Sequence, residues 1–168
     1  MEMPVFTIRG KNHRERGVDY GVQCKELIQG VLERYIRFFN GGHTAVSWDE
    51  AKVISKEFLP FIRSYSPELL DELEGIAQGA DVEFDDLLTL NSRSEAMTLV
   101  RRPPSDKEEL DGCSSVAVLP DASANGHTIL AQNWDTYTWQ EYGTVILQIL
   151  RDDGPDLMIV TEAGQLAR

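Results

Sequence analysis

The residue best suited to nucleophilic chemistry is Cys113, which directly follows Gly112 at the start of a predicted strand. Its thiolate could attack the Gly112 carbonyl and move the acyl group from nitrogen to sulfur, and water could then complete the cut. The new N-terminus would carry an α-amine whose ordinary pKa is about 7.7–8.0, close to neutral pH. Because that amine can serve as the base for the thiol beside it, one residue would supply both nucleophile and base.

A carboxylate is expected near this thiol. Residues 114–119 and 127–133 alternate like strands and are joined by a turn-rich loop that ends in Asn125-Gly126, which predicts a β-hairpin. Antiparallel pairing would return the end of the second strand, and with it Asp135, to the side of Cys113. Asp135 could then orient the new ammonium group, as the third members of catalytic triads do. The alternative is that Asp135 is only a turn residue.

The remaining cysteine and the histidines point to structure rather than chemistry. Cys24 lies on the apolar face of a predicted helix and is expected to be a buried thiol. Two cysteines do not make a disulfide framework. The three histidines are scattered without ligand spacing, so neither a zinc site nor any other bound cofactor is expected.

Three motifs occur in the order of a known family. Asp111-Gly112-Cys113-Ser114-Ser115, Ala131-Gln132-Asn133-Trp134-Asp135 and Val160-Thr161-Glu162-Ala163-Gly164 resemble those of the isopenicillin N acyltransferases, the C45 peptidases, and Asn91-Ser92-Arg93-Ser94-Glu95 resembles a stretch upstream. The resemblance implies an N-terminal-nucleophile hydrolase with an αββα sandwich fold that cuts itself between Gly112 and Cys113. It also implies that Asp135 lies in the surroundings of the nucleophile and that Ser115 matches a nearby hydroxyl residue.

The reaction implied by this resemblance is acyl transfer through a Cys113 acyl-enzyme. The donor would be a small peptide-like amide or an acyl-CoA thioester, with acyl-CoA as a possible co-substrate, and the acceptor an amine or water. The resemblance covers the first half of a typical member, and nothing here matches the family's later oxyanion asparagine or substrate-site arginine. The rival hypothesis is therefore a truncated, catalytically silent homologue that acts as a binding or structural partner, through self-association or as one half of an assembly.

Composition excludes several classes of partner. The net charge of −12 in 168 residues repels nucleic acid and anionic membranes.

The first residues lack the basic and apolar regions of a secretory signal, and no run of 18 apolar residues is present. The chain end is not a Ser-Lys-Leu peroxisomal signal. These features, together with a free thiol, predict an intracellular and most simply a cytoplasmic protein.

The pattern of elements predicts an α+β fold. A helical part covers residues 1–99, a charged and proline-broken linker covers 100–112, and residues 113–168 begin an antiparallel β core that is incomplete. Within the first part, a strand at 5–9 precedes a polar turn at 10–17 and a helix from Tyr20.

Turn and cap residues divide the rest of the helical part. Ser47 and Glu50 form a predicted capping box, Pro60 should kink or split the helix that follows, and Ser66-Pro67 should begin another. A last helix is predicted from Phe84 to about residue 98. We expect Asn91 to take part in a buried structural hydrogen-bond network, which is favoured over contact with a substrate.

Overall fold

The computed structural model describes residues 3–99, 113–152 and 154–166. It divides the chain into two compact units, Met1–Arg102 with Gln140–Arg168, and Pro103–Trp139. The predicted linker at 100–112 lies outside the described residues, and so does Gly112. We call the first unit the helical unit and the second the hairpin unit, and describe each by itself.

The helical unit contains a run of α-helices, a short strand before them and two strands after them. Strand β1 covers Val5–Ile8. The helices are α1 His13–Gln23, α2 Lys25–Phe38, α3 Trp48–Lys56, α4 Leu59–Tyr65, α5 Pro67–Ala80 and α6 Phe84–Leu99. A π-helical turn, Phe39–His43, closes α2, and Gly42 there has a φ of +79°, which suits glycine.

Helices α1 and α5 approach each other along paired glycines. A Cβ placed on Gly17 or Gly21 of α1 would lie well inside 3.0 Å of the backbone of α5. The same is true of a Cβ on Gly75 or Gly79 of α5 toward the backbone of α1. Because backbone atoms meet on both sides, neither helix can carry a larger side chain at these positions without moving away.

The prediction of a polar turn over residues 10–17 is wrong, because α1 begins at His13. The Asn12 side chain caps the helix by accepting from the Glu15 backbone N–H at 2.8 Å, and a Glu15 carboxylate oxygen accepts from Lys11 N–H. Two glycines and few apolar residues weaken the helical pattern of this stretch. The close packing of α1 against α5 stabilises the helix despite its low intrinsic helix propensity.

The other predictions for the helical unit are largely confirmed. Both halves of the capping box at Ser47 and Glu50 are present. The helical pattern is interrupted between α3 and α4, close to Pro60. Pro60 lies in the first turn of α4, where a backbone N–H would have no helical partner and its absence costs nothing. Helix α5 starts at Pro67, although the Ser66 side chain makes no capping bond to its backbone.

A three-stranded sheet completes the helical unit, with strand order β1-β4-β5. Strands β4 Thr144–Ile149 and β5 Leu157–Glu162 pair antiparallel, in keeping with the antiparallel core predicted after residue 113, while the parallel pairing of β1 with β4 was not predicted. Strand β4 alternates, with Val145, Leu147 and Ile149 buried. Ile28, Ile76 and Leu87 on the helices of the same unit are fully buried as well.

The hairpin unit is built on β2 Ser114–Val118 and β3 Ile129–Asn133, paired antiparallel as predicted. A short 3₁₀ turn, Pro120–Ala122, and the positive φ of Gly126 shape the loop between them. The described residues therefore form a mixed helix-and-sheet structure of the α+β class. No helix among them is long and apolar enough to cross a membrane.

Candidate active site

The hairpin register brings the chain back to Cys113. Ser114 pairs with Asn133 and Ser115 with Gln132, so the residues after Asn133 run past the start of β2. The Cys113 thiol is free and exposed, and its Sγ lies 3.7 Å from the main-chain carbonyl oxygen of Asp135. A thiol can donate weakly to such an oxygen, which directs its sulfur toward the end of β3.

The Asp135 carboxylate is held by Asn133. The Asn133 side-chain amide donates to Asp135 Oδ1 at 2.9 Å, and both residues are exposed. Thus the atom of Asp135 that meets the thiol is its backbone oxygen, while the carboxylate is fixed by an amide two residues earlier. The second oxygen, Oδ2, has no hydrogen-bond partner among the residues that the structure describes. The role of Asn133 was not predicted, although an asparagine as the last residue of a strand and an aspartate two residues later are a pattern that the sequence displays.

Ser115 is one residue further along β2 than Ser114, away from the open end of the hairpin where Cys113 lies. Alternation along β2 puts its side chain on the same face as that of Cys113. Ser115 is exposed, and no hydrogen bond joins its hydroxyl to Cys113 or Asp135. The structure therefore brings Cys113 and Asp135 into contact and places Ser115 nearby on the same strand. Gly112 lies outside the described residues.

A second group of polar residues lies inside the helical unit, around Glu162 at the end of β5. Glu162 is 1% exposed. Its Oε2 accepts from Tyr35 Oη at 2.8 Å and from Gln165 Nε2 at 2.7 Å, and Arg93 Nη2 lies 3.5 Å away. The Gln140 amide donates in turn to Tyr35 Oη. Among the described residues, Glu162 Oε1 is buried and has no hydrogen-bond partner.

Burial decides the titration of this cluster. Loss of solvent raises the pKa of Glu162, and the hydrogen bond from Tyr35 and the charge of Arg93 only partly oppose that rise. Burial likewise raises the pKa of Tyr35 well above its ordinary range. Sequence reasoning missed Glu162 as a buried acid, because a single glutamate at the end of an apolar strand carries no pattern of its own.

Asn91 confirms the structural role predicted for it. Its Nδ2 donates to the carbonyls of Leu87 and Gly164, each at 2.9 Å, and its Oδ1 accepts from the Leu166 N–H at 2.8 Å. Asn91 therefore ties α6 to the turn after β5. With the Arg93–Glu162 pair, it brings the motif around 91–95 against the motif around 160–164.

Cys24 is buried, as predicted, at 1% exposure. Burial raises the pKa of its thiol to about 12, with a smaller contribution from nearby Asp19. At neutral pH Cys24 is therefore a neutral, inert thiol, in contrast to the exposed Cys113. Within residues 3–99, 113–152 and 154–166, no three His, Cys, Asp or Glu side chains are grouped so as to hold a metal ion.

Comparison with curated proteins finds relatives along nearly the whole chain. It is 29% identical over 155 residues to the acyl-coenzyme A:6-aminopenicillanic-acid-acyltransferase 40 kDa form of Emericella nidulans, covering 89% of this chain and 40% of that protein. It is 28% identical over 158 residues to the beta-alanyl-dopamine/carcinine hydrolase of Drosophila melanogaster, covering 89% of this chain and 38% of that protein. The chain thus spans about two fifths of the length of these relatives. No family model matches.

Proposed function

Because the chain is related to the isopenicillin N acyltransferase family, or C45 peptidases, as its motifs predicted, we propose that it provides the nucleophile of an acyltransferase or amide hydrolase. The named relatives are an acyltransferase and a hydrolase, which supports acyl transfer as the general reaction. The observation that carries the proposal is the position of the free, exposed Cys113 thiol at the open end of the hairpin. Its Sγ lies 3.7 Å from the main-chain carbonyl oxygen of Asp135. The complete protein would have the αββα sandwich fold of N-terminal-nucleophile hydrolases.

The first step of the mechanism is self-cleavage. Cys113 Sγ attacks the Gly112 carbonyl carbon, the carbon–sulfur bond forms, the carbon–nitrogen bond breaks, and the nitrogen takes up the thiol proton. Water then hydrolyses the thioester, which leaves a carboxylate on Gly112 and a free thiol with an α-amine on Cys113. The exposure of Cys113 supports this step, because water and the preceding segment must both reach the thiol.

In the mature protein, the α-amine takes the thiol proton and the thiolate attacks the substrate carbonyl. Asp135 contributes at two atoms. Its main-chain oxygen directs the thiol, and its Oδ2, which has no hydrogen-bond partner within the described part of the chain, is proposed to accept from the Cys113 ammonium. Ser115 is proposed as a further hydroxyl on the same strand face, within the surroundings of the acyl group.

The substrates that fit this chemistry are a small amide or an acyl-CoA thioester as donor, with an amine or water as acceptor. Turnover requires more than this hairpin, because a tetrahedral intermediate needs donors to its oxyanion, and losing one such donor costs about 10²–10³ in rate. We expect those donors to come from the part of the relatives' length that has no counterpart in these 168 residues. The 168-residue chain alone should therefore turn over slowly or not at all.

Acylation of the thiol tests the proposal. The protein is incubated with a chromogenic acyl thioester, and the peptide that begins at Cys113 is examined for the added mass of one acyl group. Cys113→Ala should abolish the adduct, whereas Cys24→Ala should leave it intact. An adduct on any other residue, or none on the processed protein extended to the relatives' length, would contradict the assignment.

A further inference from the structure

An open groove of about 360 Å³ runs between α4, α5 and α6 of the helical unit. Its wall and floor are apolar, with Phe61 of α4, Leu70 and Leu73 of α5, and Leu88 of α6. Phe61 is 72% exposed, whereas Leu73 and Leu88 at the floor are buried. A volume of this size and a lining of this kind are typical of sites for small ligands.

Most polar atoms of the groove are already used by the protein. All polar atoms of the Asn91 side chain bond to backbone groups, as described above. Ser92 Oγ bonds to the Leu88 carbonyl and to Ser55 Oγ, each at 2.8 Å. These side chains shape the groove and leave little hydrogen-bonding capacity for a ligand.

Two side chains of the lining keep unused polar atoms, and both offer acceptors. Gln165 spends its Nε2 on Glu162, which leaves its Oε1 without a partner among the described residues. The Glu95 carboxylate lines the groove, is exposed, and makes neither an ion pair nor a hydrogen bond within the described residues. A ligand that pairs with these atoms must therefore donate hydrogen bonds, and one with a positive charge would also neutralise Glu95.

We propose that this groove binds a small molecule with an apolar, ring-sized body and a single primary ammonium group. The body would lie against Phe61 and the leucines of the floor, and the ammonium would donate to Glu95 and Gln165. The assignment rests on charge complementarity at an otherwise apolar groove. It does not depend on Cys113 or on the proposed acyl transfer.

The test compares three ligands with the same phenyl body, namely 2-phenylethylamine, 3-phenylpropanoate and 3-phenylpropanol. Their binding is followed by amide chemical shifts in NMR spectra of the whole chain. The amine should bind most tightly and shift the amides of α4 and of α6 around Glu95.

Glu95→Gln should lower the affinity for the amine about fivefold, the most that a solvent-accessible ion pair is worth, and leave the affinity for the alcohol unchanged. Glu26→Gln makes the same change of charge on an exposed residue of α2 outside the groove and should have no effect.

Phe61→Ser provides a second variant that should fold, because Phe61 is mostly exposed. It should weaken the amine and the alcohol equally, since both lose the same apolar contact. Equal binding of amine and carboxylate, or unchanged amine binding by Glu95→Gln, would overturn the proposal. So would a dimer that Phe61→Ser dissociates, or a longer chain, extended to the relatives' length, that excludes the amine, because either would assign the groove to polypeptide.

Discussion

The helical unit and the hairpin unit differ in how much of their side-chain surface is removed from water. In the helical unit, Ile28, Ile76 and Leu87 have no exposed surface. In the hairpin unit, Val116 and Leu130 are 57% and 76% exposed, and every residue of β3 is exposed. Stability therefore resides in the helical unit, where burial and close backbone contact hold each element.

The same contrast separates the two cysteines and the two acids of interest. Cys24 and Glu162 are enclosed in the helical unit, where burial raises the pKa of each. Cys113 and Asp135 lie in the hairpin unit, exposed to water. A group that must react with a substrate needs access, whereas a group that supports packing needs enclosure. Substitutions in the two units should consequently affect different measurements.

The largest effect on stability is expected at the glycine contact between α1 and α5. Gly17→Ala places a methyl group against the Glu72 carbonyl oxygen, a backbone atom that cannot turn aside. The helices must separate, at a cost of about 3 kcal/mol, the upper end for overpacked interiors. Urea unfolding measures this loss. Gly41→Ala is the matched control, because its nearest neighbour is the His43 side chain at 3.2 Å, and a value like that of Gly17→Ala would contradict the close helix contact.

A smaller, pH-dependent effect is expected at Glu162. Its pKa is raised on folding, so the native state binds its proton more tightly than the unfolded state does. The contribution of Glu162 is then fully favourable below its unfolded pKa and is lost as the pH rises through its folded pKa. Glu162→Gln cannot titrate, so its stability relative to the parent should increase between pH 4 and pH 8. Urea unfolding across that range, with Glu26→Gln as control, checks the sign, and a relative stability that falls with pH would show that the carboxylate is stabilised as an ion.

The smallest effect on stability is expected at Asp135. Its side chain is exposed, and surface substitutions usually change stability by less than about 0.5 kcal/mol. Asp135→Asn should therefore keep the parent melting temperature while it slows self-cleavage or acylation. Asp121→Asn, at an exposed acid in the loop of the same hairpin, should change neither. A large loss of stability with unchanged processing would make Asp135 a structural residue.

Local signals in the sequence predicted much of this structure. The capping box at Ser47, the break at Pro60 and the β2–β3 hairpin each follow from a few neighbouring residues, and all are present. Antiparallel geometry also predicted that Asp135 would return to Cys113. Such features depend on backbone rules that act over a few residues, and this is why the sequence reveals them.

Features that depend on distant contacts were not predicted. Helix α1 is weak by its own residues and is stabilised by α5, about 60 positions later in the chain. The parallel pairing of β1 with β4 joins residues about 140 positions apart. The surroundings of Glu162 include side chains from two distant helices, Tyr35 of α2 and Arg93 of α6. At the candidate site, the sequence indicated Cys113 and Asp135 but not which oxygen of Asp135 meets the thiol.

The central claim is that Cys113 is a nucleophile that first acts on its own chain, and the intact mass of the purified protein tests it most directly. The parent and Cys24→Ala should each yield two pieces, residues 1–112 and 113–168, as the second piece acquires an N-terminal cysteine. Cys113→Ala should remain one chain. Cleavage of the Cys113→Ala protein at the same bond, or a parent that stays intact through long incubation at neutral pH, would contradict the account.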